Sequence, residues 1–395
     1  MNKTAIESTT KGDAVESLWD SRPNTVLLSL LKNGTDLVTE TYKYLNHILN
    51  PSMVFIDGNA FLTGRYMNDA KYVKVWWIQN VSSNNASIFR IGSQTLHDRS
   101  GNNSAIPVSK IYGEDARLFA LSNKRIFITI CHRFPRKIPE LQMAYSEIIT
   151  RNGAIHVSPM IDITFTEFPK QDQKNWCPFE FNGTMLFVAN IQPHRIVGLS
   201  IDYEWGGHPE GYDHSLVTPG ESTPSSASRA LPKHTEASTV SLTRMNNFTW
   251  EYGDMRGGTP AISLDEHRHM AFFHSSNDIT NNGTQLKTYV FGAYVFDSKP
   301  PFAIQLISKH PVVHESMYTG PWTDLRQSYY HIDYIAFPMS FTIDQGTVNL
   351  MYGKQDTAGW IAKMNLSSLL ESLSPVESTV LSNSLHPHPH PHPPS

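Results

Sequence analysis

The chain has 395 residues, of which 11% are aromatic and only 17% are charged. This composition excludes a disordered, collagen-like or coiled-coil protein, because such chains are poor in aromatic residues and rich in charge or in short repeats. The formal net charge is −4, so the sequence lacks the basic character that nucleic-acid binding requires, and no nucleic-acid partner is expected.

Two cysteines, Cys131 and Cys177, exclude a disulfide framework and a multi-cysteine metal site. No apolar run reaches the ~18 residues that cross a bilayer, and the first residues lack the apolar core of a signal peptide. The sequence therefore predicts no membrane segment and a cytoplasmic location. The alternative is the lumen of the secretory pathway, which is favoured by N-x-S/T sequons at Asn2, Asn33, Asn80, Asn85, Asn102, Asn182, Asn247, Asn282 and Asn365.

In chain order, residues 1–45 are polar and predict an N-terminal leader that packs on the main body. From Asn50 onward, short β-branched and aromatic runs alternate with Gly, Asn, Asp and Pro, which is typical of antiparallel strands. The runs form five groups, and they include KVWWIQNV, RIFITICHRF, RIVGLSIDYEW, TYVFGAYVF and TVNLMYGK. Five groups favour an all-β protein, a five-bladed β-propeller over residues 46–373, because a propeller repeats four-stranded sheets around a channel. Two β-sandwiches are the alternative, which the lack of a linker at mid-chain disfavours.

Two segments differ from the rest in composition. The run from His208 to Lys233 is rich in Pro, Ser and Gly and predicts a low-complexity insertion inside the propeller, with bounds that we set at 208–245. Residues 374–395 end in HPHPHPHPPS and predict a disordered tail, because proline does not enter a sheet. Its histidines favour a solvated run over a weak Ni²⁺ or Cu²⁺ site.

Polar and aromatic clusters precede predicted strands in all five groups. The second group opens with the run from Tyr112 to Arg117, where Asp115 is a candidate general acid at the mouth of the channel. A plain turn, in which Arg117 pairs with Glu114, is the structural alternative. The comparable clusters are Asn50-Pro51-Ser52 with Arg65, Lys174-Asn175-Trp176, Arg256-Gly257-Gly258-Thr259-Pro260 with Phe273-His274, and Tyr352-Gly353-Lys354-Gln355-Asp356. Together they supply the carboxylates, cations and aromatic faces that holding a sugar ring and an anion requires.

The order and spacing of these clusters resemble the five-bladed propellers of glycoside hydrolase family 130, the β-mannoside phosphorylases and mannosidases, and of the related eukaryotic glycosyltransferase family 108. The similarity extends from about Asn50 to Asn365. Its most specific parts are E-D-x-R at 114–117, G-G-T-P at 257–260 and Y-G-x-x-D ending at Asp356. The resemblance implies an enzyme that makes or breaks β-mannosidic linkages, expected to be β-1,2, by reversible inverting phosphorolysis. Inorganic phosphate would be the co-substrate, with no other cofactor, and an oligosaccharide or mannose 1-phosphate the partner.

The resemblance also implies roles for single residues. Asp115 is the one catalytic carboxylate and donates a proton to the glycosidic oxygen, while Glu114 and Arg117 are expected to point away from the channel. The implied substrate-binding residues are Asn50, Arg65, Lys174, Trp176 and Asp356, and the implied phosphate-binding residues are His194, Arg195, Arg256 and His274. Trp176 and Phe273 are expected to face the sugar. No metal site is predicted, because the run from Glu266 to His269 lies in a predicted hairpin turn and lacks helical zinc-ligand spacing.

Several alternatives stay open. Phosphate is already an anionic nucleophile, whereas an inverting β-mannosidase needs a second carboxylate to activate water, for which the candidates are Glu180, Glu204 and Glu251. A GDP-mannose-dependent β-mannosyltransferase is a further alternative with the same fold. From another class comes a non-catalytic glycan-binding propeller, which an Asp115 paired with Arg117 and turned away from the channel would favour. Glycine-rich phosphate loops and a G-x-S-x-G elbow are absent, which disfavours dinucleotide, ATP and serine-hydrolase chemistry.

Overall fold

The structure, a computed structural model, describes residues 32–46, 48–66, 69–78, 111–133, 139–151, 154–202, 234–281, 284–318, 334–356 and 358–381. Strands predominate in these residues, and the helices α1 (Glu315–Tyr318) and α2 (Leu366–Ser372) are short. The prediction of a mainly β protein is therefore confirmed.

The strands follow one another in five successive antiparallel units, preceded by strand β1 (Val38–Asn46). Unit 1 contains β2 (Ile48–Ile56), β3 (Asn59–Tyr66), β4 (Asp69–Ile78) and β5 (Ile111–Tyr112). Unit 2 contains β6 (Glu114–Ala120), β7 (Ile126–Arg133), β8 (Leu141–Arg151), β9 (Ala154–Val157) and β10 (Ile161–Phe165). Unit 3 contains β11 (Cys177–Phe181), β12 (Thr184–Ile191), β13 (His194–Asp202) and β14 (His234–Met245).

Unit 4 contains β15 (Arg256–Gly257), β16 (Ile262–Ser263), β17 (Arg268–Asn281), β18 (Thr284–Asp297) and β19 (Ile304–Ser308). Unit 5 contains β20 (Tyr334–Asp344), β21 (Thr347–Lys354) and β22 (Ala358–Asn365), and β1 pairs with β22 as its fourth strand. The short strands β23 (Leu373–Pro375) and β24 (Ser378–Val380) pair with β19 and β14. Parallel pairing of β10 with β14 and of β18 with β20 joins the units into larger sheets.

Each unit contacts the next one along the chain. β6 packs on β2 and on β11, β12 packs on β15, and β17 packs on β20. Unit 5 also contacts unit 1, because β20 packs on β2. The sequence of contacts therefore returns to its starting point.

The units form strands because their runs bury side chains on both faces. In the β17–β18 hairpin, Phe272 pairs with Ala293 and Phe273 with Gly292, and all four residues are buried. A Cβ at Gly292 would lie 2.8 Å from the Phe273 ring, so glycine makes room for the aromatic side chain. These residues belong to the largest hydrophobic cluster, which is built from units 3, 4 and 5 with part of β1.

The segments of unusual composition have different boundaries from those expected. Residues 38–45 of the predicted leader form β1 together with Asn46, and residues 234–245 of the predicted insertion form β14. Both contain β-branched Thr and Val residues, which suit a strand although their surroundings are polar. Residues 374–381, counted with the tail, contribute to β23 and β24. The rest of the leader, of the insertion and of the tail lies outside the described residues.

In the part of the chain that the structure describes, no helix has the length and apolar character needed to cross a membrane. Four sequon asparagines fall in this part, and all four are exposed: Asn33, Asn182, Asn247 and Asn365. The other five sequons lie outside it.

Candidate functional site

Asp115 lies at the start of β6, where the pairing with β7 is interrupted by a bulge between Glu114 and Arg117. Its φ is 54°, in the left-handed region that Asn and Asp tolerate better than most residues. Asn50 has a φ of 48° at a bulge of β2 in the neighbouring unit, and Asn175 (61°) and Asp356 (48°) share this conformation. Bulges redirect side chains, so the polar clusters of the sequence lie where the strands depart from regular geometry.

The Asp115 carboxylate is held by residues of unit 1. Asn50 Nδ2 donates to Asp115 Oδ1 at 2.9 Å, and Arg65 Nη2 lies 3.9 Å from the same oxygen. Arg65 Nη1 pairs with Glu114 Oε2 at 3.2 Å. The Asp115 side chain keeps 19% of its surface exposed, and among the described residues no hydrogen bond reaches Oδ2. The carboxylate is therefore oriented through one oxygen, with the other available to a ligand.

The last cluster of the sequence approaches this group through Gly353. A Cβ at Gly353 would overlap Asn50 Oδ1, so the close approach of unit 5 to Asn50 requires glycine. Asp356 follows three residues later and is half-buried. The structure thus brings Asn50, Arg65 and Asp115 together, with the segment that ends at Asp356 against Asn50.

His274 is buried and pairs with Arg256 across β17 and β15, and three cationic side chains lie within electrostatic reach of it. Burial holds the pKa of His274 well below its usual range, and the positive charges of Arg117, Arg256 and Lys174 act in the same direction. His274 is therefore neutral near pH 7. Of the implied phosphate-binding residues, Arg256 and His274 are thus near each other, with Lys174 in electrostatic reach, but His274 offers a hydrogen bond rather than a charge.

Arg117 connects the Asp115 region with the cations. Its guanidinium, in a side chain that is 1% exposed, donates to the carbonyl oxygens of Asp115 (2.9 Å) and Gly258 (2.6 Å) and to Asn175 Oδ1 (3.2 Å). The Arg117 guanidinium binds the backbone carbonyl oxygen of Asp115. Glu114 pairs with Arg65 instead, which contradicts the plain turn with an Arg117–Glu114 pair.

His194 and Arg195 are not brought to this site. The ring of His194 is buried against Tyr294 and Phe296, and its Nδ1 donates to the carbonyl oxygen of Phe302 at 2.9 Å. Arg195 Nη1 is bound by Glu167 Oε2 at 2.6 Å and by Thr239 Oγ1 at 2.7 Å. Because a carboxylate already neutralises Arg195 and an apolar cluster holds His194, their assignment to a phosphate pocket is corrected.

Trp176 and Phe273 are also placed differently from the expectation. Trp176 is 1% exposed, packs edge-on against Phe165, and donates through Nε1 to Gln173 Oε1 at 3.3 Å. Phe273 is fully buried. Both rings pack in the hydrophobic interior, so neither forms a sugar-facing surface. The neighbouring Asn175, to which the sequence assigned no role of its own, reaches the site instead, because its side-chain oxygen accepts a hydrogen bond from Arg117.

The candidate bases for hydrolysis lie elsewhere. Both oxygens of Glu180 accept hydrogen bonds from Ser122, one from the backbone N–H at 2.8 Å and one from the hydroxyl. Glu251 is exposed in a segment of bends, and Glu204 lies outside the described residues. Within those residues, no group of three or more His, Cys, Asp or Glu side chains is arranged to hold a metal ion.

A cavity of about 430 Å³ lies at the opposite end of β6 from Asp115, beside Phe119 and Ala120. Glu180, the Asn182-Gly183 turn and His269 contribute to its wall. None of the residues that hold Asp115 lines this cavity, so it is separate from the candidate site.

No protein-family model matches this chain, and no curated protein is similar to it in sequence. Among solved structures, a mannose phosphorylase from Leishmania mexicana in complex with phosphate is 12% identical, with a TM-score of 0.48 over 94% of this chain and 98% of that one. A GDP-Man-dependent mannosyltransferase from Leishmania mexicana is 10% identical, with a TM-score of 0.46 over 86% and 94%.

A third solved structure belongs to work on the GH130 family of mannoside phosphorylases, described as containing glycoside hydrolases that target β-1,2 mannosidic linkages in Candida mannan. It is 13% identical, with a TM-score of 0.44 over 88% of this chain and 93% of that one. GH130 is one of the two families that the sequence motifs resemble.

Proposed function

We propose that this chain is a carbohydrate-active enzyme that makes or breaks β-mannosidic linkages, β-1,2 among them, by reversible inverting phosphorolysis. The observation that carries the proposal is the orientation of the Asp115 carboxylate, which Asn50 and Arg65 hold at the start of β6. Arg117 joins this part of β6 to Gly258, in the segment that contains the cation Arg256. A carboxyl group beside anchored polar groups and cations suits a reaction between a neutral sugar and an anion.

In the proposed reaction, protonated Asp115 gives its proton to the glycosidic oxygen as the bond from that oxygen to the anomeric carbon breaks. A phosphate oxygen attacks the same carbon from the opposite face and forms mannose 1-phosphate with inverted configuration. Asn50, Arg65 and Asp356 hold the mannosyl ring. Arg256 and Lys174 bind the phosphate, with His274 as a neutral hydrogen-bonding partner. In the reverse direction, Asp115 accepts the proton of the acceptor hydroxyl and phosphate leaves.

The fold proposed for this site is a five-bladed β-propeller. Five antiparallel units in chain order support it, and so does the return of the contacts from unit 5 to unit 1. In such an arrangement the first strand of each unit lines the central channel, which gives residues from different units access to one ligand.

The surroundings of Asp115 favour phosphorolysis over hydrolysis. Glu180 is engaged by Ser122, and Glu114, the carboxylate next to Asp115 in the chain, is paired with Arg65. The contact of Asp115 with Asn50, rather than a side-chain pair with Arg117, favours an enzyme over a non-catalytic glycan-binding protein. The cations suit both anionic donors, mannose 1-phosphate and GDP-mannose, so the experiment compares the two.

The test incubates the protein with mannose as acceptor and either mannose 1-phosphate or GDP-mannose as donor, and measures release of phosphate or GDP. We expect phosphate release from mannose 1-phosphate alone, with β-1,2-mannobiose as product. Asp115→Asn should lower this turnover by about 10²- to 10⁴-fold, the usual contribution of general acid catalysis.

Asp57→Asn is the matched control, because Asp57 also has a left-handed φ (49°) but lies exposed in the turn between β2 and β3. This variant should keep wild-type turnover. Release of GDP alone would replace phosphorolysis by nucleotide-sugar transfer, and an Asp115→Asn enzyme within about tenfold of wild type would remove Asp115 from the chemistry.

A further inference from the structure

The guanidinium of Arg117 is buried, and among the described residues it has no carboxylate partner. Its four hydrogen bonds within this part of the chain go to the carbonyl oxygens of Asp115, Gly257 (3.4 Å) and Gly258 and to the side-chain oxygen of Asn175. All four acceptors are neutral. Desolvating a buried cation costs free energy, and neutral acceptors offset less of that cost than a carboxylate would. Stability alone therefore does not explain why an arginine occupies this position.

The acceptors belong to three different units. Asp115 starts β6 in unit 2, Asn175 precedes β11 in unit 3, and Gly257 and Gly258 follow one another in unit 4. A Cβ at Gly257 would overlap the carbonyl oxygen of Asn175, so these segments touch closely. One planar side chain therefore sets the relative positions of three segments that reach the proposed site.

Arg117 also acts on the backbone of Asp115 itself. It binds the carbonyl oxygen of a residue in the left-handed conformation, while Asn50 binds the side chain of the same residue. The two contacts fix the peptide and the carboxylate independently. Gly257 is joined directly to Arg256, so the same guanidinium relates the proposed proton donor to the proposed phosphate-binding segment.

We infer that Arg117 is a positioning residue that holds Asp115 at a fixed distance from the anion-binding segment of unit 4. This inference rests on the proposed function. It assigns Arg117 no contact with substrate, since its side chain is buried and its bonds are made within the protein. Misplacing a catalytic group by about 1 Å can lower the rate by about 10²-fold. Loss of the hydrogen bonds of Arg117 should therefore slow the chemical step without preventing substrate binding.

The variant that tests this is Arg117→Lys, which keeps the charge but replaces a planar group that reaches three units with a single ammonium. Hydrogen exchange, followed by mass spectrometry, should become faster in the segments around 114–117, 174–177 and 256–259 together. In the phosphate-release assay kcat should fall by about 10- to 100-fold, with KM for mannose 1-phosphate and mannose within about threefold of wild type.

Arg125→Lys is the control, because Arg125 also belongs to unit 2 but its guanidinium binds the carboxylate of Glu147, away from the site. Arg125→Lys should change neither hydrogen exchange in the three segments nor kcat.

Unchanged exchange around 174–177 and 256–259 in Arg117→Lys would show that Arg117 does not hold the three segments together, whether or not kcat changes. An unchanged kcat, or a rise in KM alone, would overturn its role in positioning. A wild-type protein that turns over no mannose donor would overturn the proposed function and the positioning role with it, while exchange would still decide whether Arg117 joins the units.

Discussion

His194, although it does not reach the site, makes stability depend on pH. The ring is 1% exposed, and burial lowers the pKa of His194 from 6.5 to about 4. The unfolded chain therefore binds a proton at a pH where the folded chain does not. Stability from this group is complete above about pH 6.5 and is lost as pH falls toward 4, by roughly 3 kcal/mol in all.

We predict that His194→Asn loses less stability on acidification than wild type. Asparagine keeps a donor for the carbonyl oxygen of Phe302 but has no proton to gain. Between pH 7.5 and 4.5, the fall in the free energy of unfolding should be about 2–3 kcal/mol smaller in the variant. Urea unfolding at both pH values measures it. His267→Asn, at an exposed turn, should follow wild type, and equal losses in His194→Asn and wild type would contradict the prediction.

At this scale the sequence predicts residue types well and side-chain directions poorly. The motifs identify Asp115, Asn50 and Arg65, which the structure brings into contact. They also select Trp176 over its neighbour Asn175, because the motif does not contain the left-handed backbone (φ 61°) that sets where Asn175 points. A motif of adjacent letters does not tell which of two neighbours faces the interior. The same ambiguity explains His194, whose ring packs among aromatic side chains that come from unit 4, far away in the sequence.

At the scale of strands, serine hydroxyls join the first strands of neighbouring units. β2 and β6 lie at the edges of their sheets, and an edge strand leaves backbone N–H groups without a partner in the ladder. The N–H of Leu118 in β6 donates to Ser52 Oγ of β2 at 3.0 Å, and the N–H of Met53 in β2 donates to Ser340 Oγ of β20 at 3.0 Å. Each hydroxyl thus satisfies a buried donor of the next unit.

We predict that Ser52→Ala destabilises the protein by about 1–3 kcal/mol, because it leaves the Leu118 N–H buried without an acceptor. Ser340→Ala should do the same through Met53. The urea midpoint at pH 7.5 measures both effects. Ser263→Ala is the control: Ser263 is exposed and donates only to a nearby backbone oxygen, so a change under ~0.5 kcal/mol is expected. A Ser52→Ala protein as stable as this control would show that the bond between the units contributes nothing.

For the whole molecule, the five groups of strand-like runs predict five units because each run combines β-branched and aromatic residues with turn residues at its ends. What local patterns do not contain is which segments meet across the chain. Most of β1 lies in the predicted polar leader, yet the strand pairs with β22, more than 300 residues away along the sequence. Its runs of Thr, Tyr and Lys are polar enough to suit a solvated segment, and only the partner strand makes them part of a sheet.

The pairing of β1 with β22 predicts that β1 stabilises all five units. Val38 is 7% exposed in the largest hydrophobic cluster, opposite the buried Met364, whereas the adjacent Thr39 is exposed. Val38→Asp places an unpaired carboxylate among apolar side chains and should lower the free energy of unfolding by about 3 kcal/mol or more, while Thr39→Asp should change it little.

Urea unfolding is followed by far-UV circular dichroism and by tryptophan fluorescence, which reports on Trp176 and Trp250 in the middle of the chain as well as on Trp360 beside β1. If β1 stabilises all five units, both signals shift to the same lower urea midpoint in Val38→Asp, because loss of β1 from unit 5 also destabilises the units that contact it. A midpoint equal to that of Thr39→Asp would mean that β1 only covers an edge of a sheet that is stable without it.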